Sequence, residues 1–212
     1  MSLARRAFVL SLVLPSVARA QDGGPTAPIA ALNAALQVAM RAGRTTQFAA
    51  RVAALRPVVE RAFDLAAILR ASVGPRFAGF DAATKRDLLE AFSAFTVATW
   101  VANFNTDGGE SFEVAPQTRA IGEDQVVSTR IVPKSGEATR LDYVMRLGPG
   151  QGATQGAAGA PAGWKAVDIL LNGTISRVAV QRSDFRGLLA GGDPAPLLAS
   201  LRSRYGLLAG GS

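Results

Sequence analysis

The hydrophobic period changes once inside this chain, and that change constrains the architecture more than any other feature. Up to Phe104, apolar residues recur every three or four positions, as on one face of a helix. From Phe112 onward they alternate with polar ones, as on one face of a strand. Thr106-Asp107-Gly108-Gly109 marks the boundary and breaks any helix that reaches it. Helices first and strands second describe an α+β chain rather than alternating βα units.

The helical half divides at its punctuation. Ile29, Leu32, Leu36, Ala39 and Met40 predict a helix over 27–42, with Pro28 near its start and Gly43 at its stop. Thr45 or Thr46 is placed to cap a second helix carrying Phe48, Val52 and Leu55, ended or kinked at Pro57. A third is expected from Val58 through Phe63-Asp64-Leu65 to Leu69, stopping near Gly74-Pro75. Asp81 should cap the longest, 82–105, whose stripe includes Leu88, Leu89, Phe92, Phe95, Thr96, Thr99, Trp100 and Phe104.

In the second half, Phe112 and Val114, then 126–132, then Leu141, Tyr143, Met145 and Leu147 read as strands, with Arg140, Asp142 and Arg146 on the opposite face of the third. Trp164 to Leu171 follows, and Asn172-Gly173 is a hairpin signal into a strand over 174–180. A helix over 184–190 capped by Ser183 and another from Pro194 to about Tyr205 end the chain. The expected fold is α+β: N-terminal helices packed on a curved antiparallel sheet of about five strands, with short C-terminal helices. The stretch 148–163, almost wholly Gly, Ala, Pro and Gln, is expected to be a flexible hairpin insertion. No helix follows it and no Lys-Ser/Thr ends it, so its glycines do not form a phosphate loop.

The absence of two residue types narrows the chemistry. With no Cys and no His among 212 residues, disulfides, thiolate nucleophiles, imidazole bases and the commonest transition-metal ligands are excluded. Asp142 and Asp168 lie on separate strands and are the candidates for a carboxylate base, but two carboxylates alone make a poor metal site. Each could instead pair with a nearby arginine, such as Arg140, Arg146 or Arg177. No cofactor or metal is expected.

Residues 1–20 read as a cleavable export signal: Arg5-Arg6, an apolar run from Ala7 to Val17, and Ala18-Arg19-Ala20 as the cleavage site. Arg5-Arg6-Ala7-Phe8-Val9 also fits a twin-arginine signal. Residues 21–212 would then be one domain. Removing Arg5, Arg6 and Arg19 lowers the formal charge from +7 to +4. The remainder is uneven, with nine basic and three acidic residues over 41–86, and one basic and seven acidic over 87–125. For an exported protein such a basic face would meet anionic lipid or acidic partners rather than nucleic acid.

Five segments, in order, carry a resemblance. Phe63-Asp64-Leu65-Ala66-Ala67-Ile68 closing at Val73-Gly74, the helix over 84–100 with its Leu-Leu-x-x-Phe, Asp142-Tyr143-Val144-Met145-Arg146, Gly163 to Ile169 followed by Asn172-Gly173-Thr174-Ile175-Ser176, and Arg182-Ser183-Asp184-Phe185 are similar to the blocks of the toluene-tolerance (MlaC) family of periplasmic lipid-transport proteins. The later blocks look nearest to its hopanoid-biosynthesis-associated (HpnM-type) subgroup, and the Gly/Ala-rich insertion departs from the family's short turn.

The resemblance spans about residues 28–205. It implies an NTF2-like curved-sheet fold and a non-enzymatic shuttle for a phospholipid or hopanoid. Such a shuttle works between an inner-membrane ABC-type transporter and an outer-membrane partner, with transient contact near each membrane, and serves outer-membrane lipid asymmetry. The expected cavity lining is Leu89, Phe92, Phe95, Trp100, Tyr143, Met145, Val167 and Ile169. Arg146 is the first choice for holding the head group and Arg177 the second. Two other readings stay open on the residues themselves: a carboxylate-based enzyme using Asp142 or Asp168, and a protein that docks partners through its basic face.

Overall fold

The computed structural model describes residues 23–148 and 163–211. The segment read as an export signal, and 149–162 of the expected insertion, lie outside the described residues.

Four helices come first: α1 (Ala27–Ala42), α2 (Phe48–Ala62), α3 (Leu65–Val73) and α4 (Ala82–Asn103). Five strands follow, β1 (Ser111–Ile121), β2 (Asp124–Val132), β3 (Thr139–Leu147), β4 (Trp164–Leu171) and β5 (Ile175–Ser176), then α5 (Arg177–Leu188) and α6 (Ala195–Gly210). The strands form one antiparallel sheet in sequence order, β1-β2-β3-β4-β5. The α+β architecture expected from the change of period is the one observed.

Local chemistry explains most boundaries. Asp81 caps α4: its carboxylate accepts from the Thr84 amide at 2.8 Å and from the Thr84 hydroxyl at 2.9 Å. Asn172 and Gly173 both take positive φ, 52° and 75°, which lets β4 turn back on itself within a few residues.

Three expectations are corrected. Of the end or kink expected at Pro57, the end is overturned: helix α2 runs through Pro57 to Ala62, and the break falls at Phe63-Asp64 because tertiary pairing overrides the local signal. Phe63 bridges to Ala166 of β4, and the Asp64 amide donates to the Ala166 carbonyl at 2.9 Å. The start of α2 has Gln47 at the cap position with no side-chain cap, not Thr45 or Thr46. The expected strand over 174–180 is cut to two residues, and α5 begins at Arg177 rather than after Ser183. Ser176 and Asp168 decide this last case. The Ser176 hydroxyl oxygen accepts from the Ala179 amide at 2.9 Å, and the Asp168 carboxylate accepts from the Val178 amide at 3.1 Å. Two otherwise orphaned amides of a helix start are thereby satisfied.

The core lies between the helices and one face of the sheet. Ile29, Leu32 and Leu36 of α1, Val59 of α2, and Leu88, Phe92 and Val97 of α4 are fully buried with Val127, Tyr143 and Met145 of the sheet. Helix α4 is central, packed against α2, α3 and α6, while α3 packs on α5. This arrangement makes α4 the roof over the sheet, with α3 and α5 as one side wall.

Candidate functional site

The core is not solid throughout. At the end of the sheet where β2 finishes and β3 starts, α4 stands off from the strands and leaves a cavity of about 400 Å³, within the range of small-molecule sites. Its roof is one stripe of α4: Phe92, Phe95, Thr96, Thr99, Trp100 and Asn103, with Phe104 just beyond the helix end. These recur at three- and four-residue intervals, so the helical period itself aims them at one space. The floor is the inward face of the sheet, with Leu141 of β3, Ile169 and Leu171 of β4 and Ile131 of β2. Leu65 and Ile68 of α3 and Val178 of α5 close the side, and Phe63 sits at the inner end.

The aromatic residues set the cavity's shape. Trp100 stacks on Phe104 with ring centroids 5.5 Å apart and planes inclined by 22°, and contacts Phe63 at 5.7 Å. Phe104 continues the row to Phe112 of β1 at 5.8 Å. Phe95, Trp100 and Phe104 are only half-buried, so the apolar wall reaches the opening.

Polar groups collect at the rim. Asn103 and Thr139 are exposed there, and the Thr99 hydroxyl is spent on the Phe95 carbonyl at 2.8 Å. Arg177, the first residue of α5, is exposed and lines the cavity. None of the ion pairs among the described residues involves it. Gln181, one turn on, accepts from the Ser72 hydroxyl at 3.1 Å and joins α5 to α3.

Of the lining expected from sequence, Phe92, Phe95, Trp100 and Ile169 meet at this cavity, as does Arg177; Leu89, Tyr143, Met145, Val167 and Arg146 do not. Tyr143 and Met145 do face inward, but farther along β3, where the interior is filled; Tyr143 packs its ring on Phe63 at 6.1 Å. Burial holds the Tyr143 phenol well above its ordinary pKa. Leu89 is half-buried against the core. Val167 falls where the β3–β4 register slips, since Val144 pairs with Asp168 but Met145 with Ala166, and this bulge turns it away.

Arg146 lies on the outward face of β3, as its parity with Arg140 and Asp142 requires. It is held by Asp124 in a two-point pair at 2.8 and 2.6 Å, which raises the guanidinium's pKa.

The side wall that sequence reading missed is Phe63, Leu65, Ile68, Val178 and Gln181, from α3, α5 and the Phe63 bridge; the expected lining also left out Ile131, Leu141 and Leu171 on the floor and Phe104 at the roof's end. The Phe63-Asp64-Leu65 block was visible, but its docking on β4 was not. Val178 and Gln181 were hidden by reading α5's first turn as strand.

The two carboxylates considered as bases are both occupied. Asp142 is fully buried and takes both bonds from Arg140, at 2.9 and 2.6 Å. Asp168 accepts from the Ile169 and Val178 amides and from the Ser176 hydroxyl, so together with the N-cap Ser176 it closes the start of α5.

The fold is shared with a solved protein. The phospholipid-binding protein from Ralstonia solanacearum, determined in complex with a phospholipid, superposes with a TM-score of 0.71 over 88% of this chain and 99% of its own, at 17% identity. No curated protein matches the chain. The helical half, the sheet and α5, which together build the cavity, fall almost wholly within residues 31–203, and over that span the sequence matches the family described as MlaC protein: the chain belongs to the MlaC family.

Proposed function

We propose that this protein is a periplasmic lipid carrier that holds the apolar tail of a phospholipid in the cavity between α4 and the sheet. The observation that carries this reading is the cavity itself: about 400 Å³ walled by aromatic and aliphatic side chains, with an arginine free of any carboxylate at its rim. A methylene transferred from water to such a space contributes about 0.8 kcal/mol, so about ten methylenes contribute roughly 8 kcal/mol. Phe92, Phe95, Trp100 and Ile169 hold the tail, and the planar guanidinium of Arg177 takes the head-group phosphate. That preference for an anionic head favours a phospholipid over a hopanoid.

Family membership and the phospholipid held by the similar Ralstonia solanacearum protein support the same cargo class. The wider assignment follows from the family resemblance. The chain is exported on the signal at 1–20 and passes lipid between an inner-membrane ABC-type transporter and an outer-membrane partner. No step of that transfer needs bond making or breaking.

The test is native mass spectrometry of the gently purified protein, then delipidation and reloading with phosphatidylglycerol. One lipid per chain is expected, and Arg177→Gln should weaken reloading several-fold while leaving the fold intact. A protein that purifies empty and takes up no phospholipid would overturn the assignment.

A further inference from the structure

A second cleft lies on the other side of α5, where the turn after α3 meets the end of that helix. It has a volume of about 220 Å³ and is lined by Val73, Gly74, Pro75, Arg76, Arg182, Arg186 and Leu189. Three of those seven residues are arginines, and none is acidic. No ion pair among the described residues involves any of the three.

Like charges gathered in one concave place repel, and because all three side chains are exposed, water screens that repulsion only in part. Here the fold enforces the gathering. Arg182, on α5, donates from Nε to the Ala71 carbonyl at 2.9 Å, near the end of α3. Arg76 donates from Nη1 to the Leu189 carbonyl just past the end of α5. Each arginine thus closes the other segment's helix end, and both guanidiniums are fixed before any ligand arrives. Arg186 lies one turn beyond Arg182 on the same helix face and makes no such bond. Gly74, with φ of 79°, brings the backbone close to Arg182: an added Cβ would lie in van der Waals contact with its Nε, at 3.8 Å.

We infer that this cleft binds a phosphate-class anion, supplied either as free phosphate or as the phosphate of a lipid head group at a membrane surface. Fixed guanidinium forks offer pairs of parallel donors that match tetrahedral phosphate oxygens; a carboxylate would engage one fork, and chloride has no directional acceptors. The inference is independent of the lipid cavity, because none of these residues lines it.

The experiment titrates the full chain with inorganic phosphate at constant ionic strength, following the arginine side-chain resonances by NMR. In parallel, co-sedimentation is measured with vesicles of phosphatidylglycerol and of phosphatidylcholine. Arg186→Gln and Arg186→Lys are the test variants, since Arg186 supports neither helix end; Arg202→Gln, exposed on α6, is the control.

Saturable phosphate binding that moves the Arg182 and Arg186 signals, and that weakens about tenfold in both Arg186 variants but not in Arg202→Gln, supports a free-phosphate site. Weak phosphate binding with phosphatidylglycerol-selective sedimentation lost in Arg186→Gln supports a head-group site. In Arg177→Gln the Arg182 and Arg186 resonances should still move with phosphate, whatever that variant does to lipid loading, which separates this site from the cavity rim. If phosphate and chloride act alike, or the Arg202 and Arg186 variants lose sedimentation equally, the site does not exist.

Discussion

Asp64 fastens the start of α3 to β4 through its own amide, which donates to the Ala166 carbonyl at 2.9 Å, while its carboxylate accepts from the Ala67 amide at 2.9 Å. One residue therefore caps a helix and ties that helix to the sheet. The tie matters to the cavity because Leu65 and Ile68, the next inward residues of α3, form its side wall. Asp64→Ala keeps the backbone bond and loses the cap, so stability should fall by about 1 kcal/mol, whereas Asp64→Asn should lose only a few tenths. Urea unfolding measures both. Equal losses in the two variants would show that charge, not capping, is the role of the side chain.

How far the sequence could lead is clearest at the two ends of this contact. The roof of the cavity was legible because helix periodicity is local: Phe92, Phe95 and Trp100 share a face whatever they pack against. The sheet floor was half legible. Alternation placed Leu141, Tyr143 and Met145 on one face correctly, but where along β3 the interior changes from filled to hollow depends on how far α4 stands off, a tertiary fact. Val167 was misjudged because a bulge adds one residue to β4 and breaks simple parity. Arg146 was read against its own parity, since the alternation that puts Met145 inside puts Arg146 outside. The resemblance to the family carried what periodicity lacked, namely that a greasy interior could be a container.

Tyr143 gives the protein an alkaline limit. Its phenol is buried, and burial disfavours the phenolate, so the folded pKa lies well above the ordinary value of 10.0. The unfolded chain releases this proton near that ordinary value while the folded chain keeps it. Stability from this group is therefore fully present below about pH 10 and is lost as pH climbs toward the folded pKa, at up to about 1.4 kcal/mol per pH unit. Tyr143→Phe should remove this component: wild type and variant differ little at pH 8, and the variant becomes relatively more stable from pH 10 upward. Parallel stability curves over pH 8–11 would show that Tyr143 ionises freely in the folded state.

Arg51 is a buried cation in the helical layer. It is 4% exposed, its Nε donates to the Thr46 carbonyl at 3.1 Å, and its Nη1 is buried without an acceptor. The guanidinium lies 5.7 Å from the Phe48 ring, which offsets part of the desolvation. Methionine reproduces the apolar stem without the charge, so Arg51→Met should stabilise the protein by about 1 kcal/mol, read as a higher unfolding midpoint. A fall of similar size would mean that a counter-ion or water already satisfies the group.

Filling the cavity tests the container directly, because solid and hollow interiors respond to added bulk in opposite ways. In a packed core, replacing Ile169 with Trp forces strain and costs about 1–3 kcal/mol. At a wall of the 400 Å³ cavity the indole has room, gains buried apolar area and leaves stability unchanged or slightly raised. The same indole occupies the space of several methylenes, so lipid reloading after delipidation should drop at least about tenfold, since two methylenes alone are worth that much. Phe95→Trp, adding less volume at the half-buried mouth, should show the same signs with a smaller loss. Leu147→Trp, at a site 52% exposed and away from the cavity, should change neither property. Stability and loading measured on the same three variants decide the matter: Ile169→Trp destabilised by more than about 1 kcal/mol, or loading lipid like wild type, would mean that α4 and the sheet enclose no usable space.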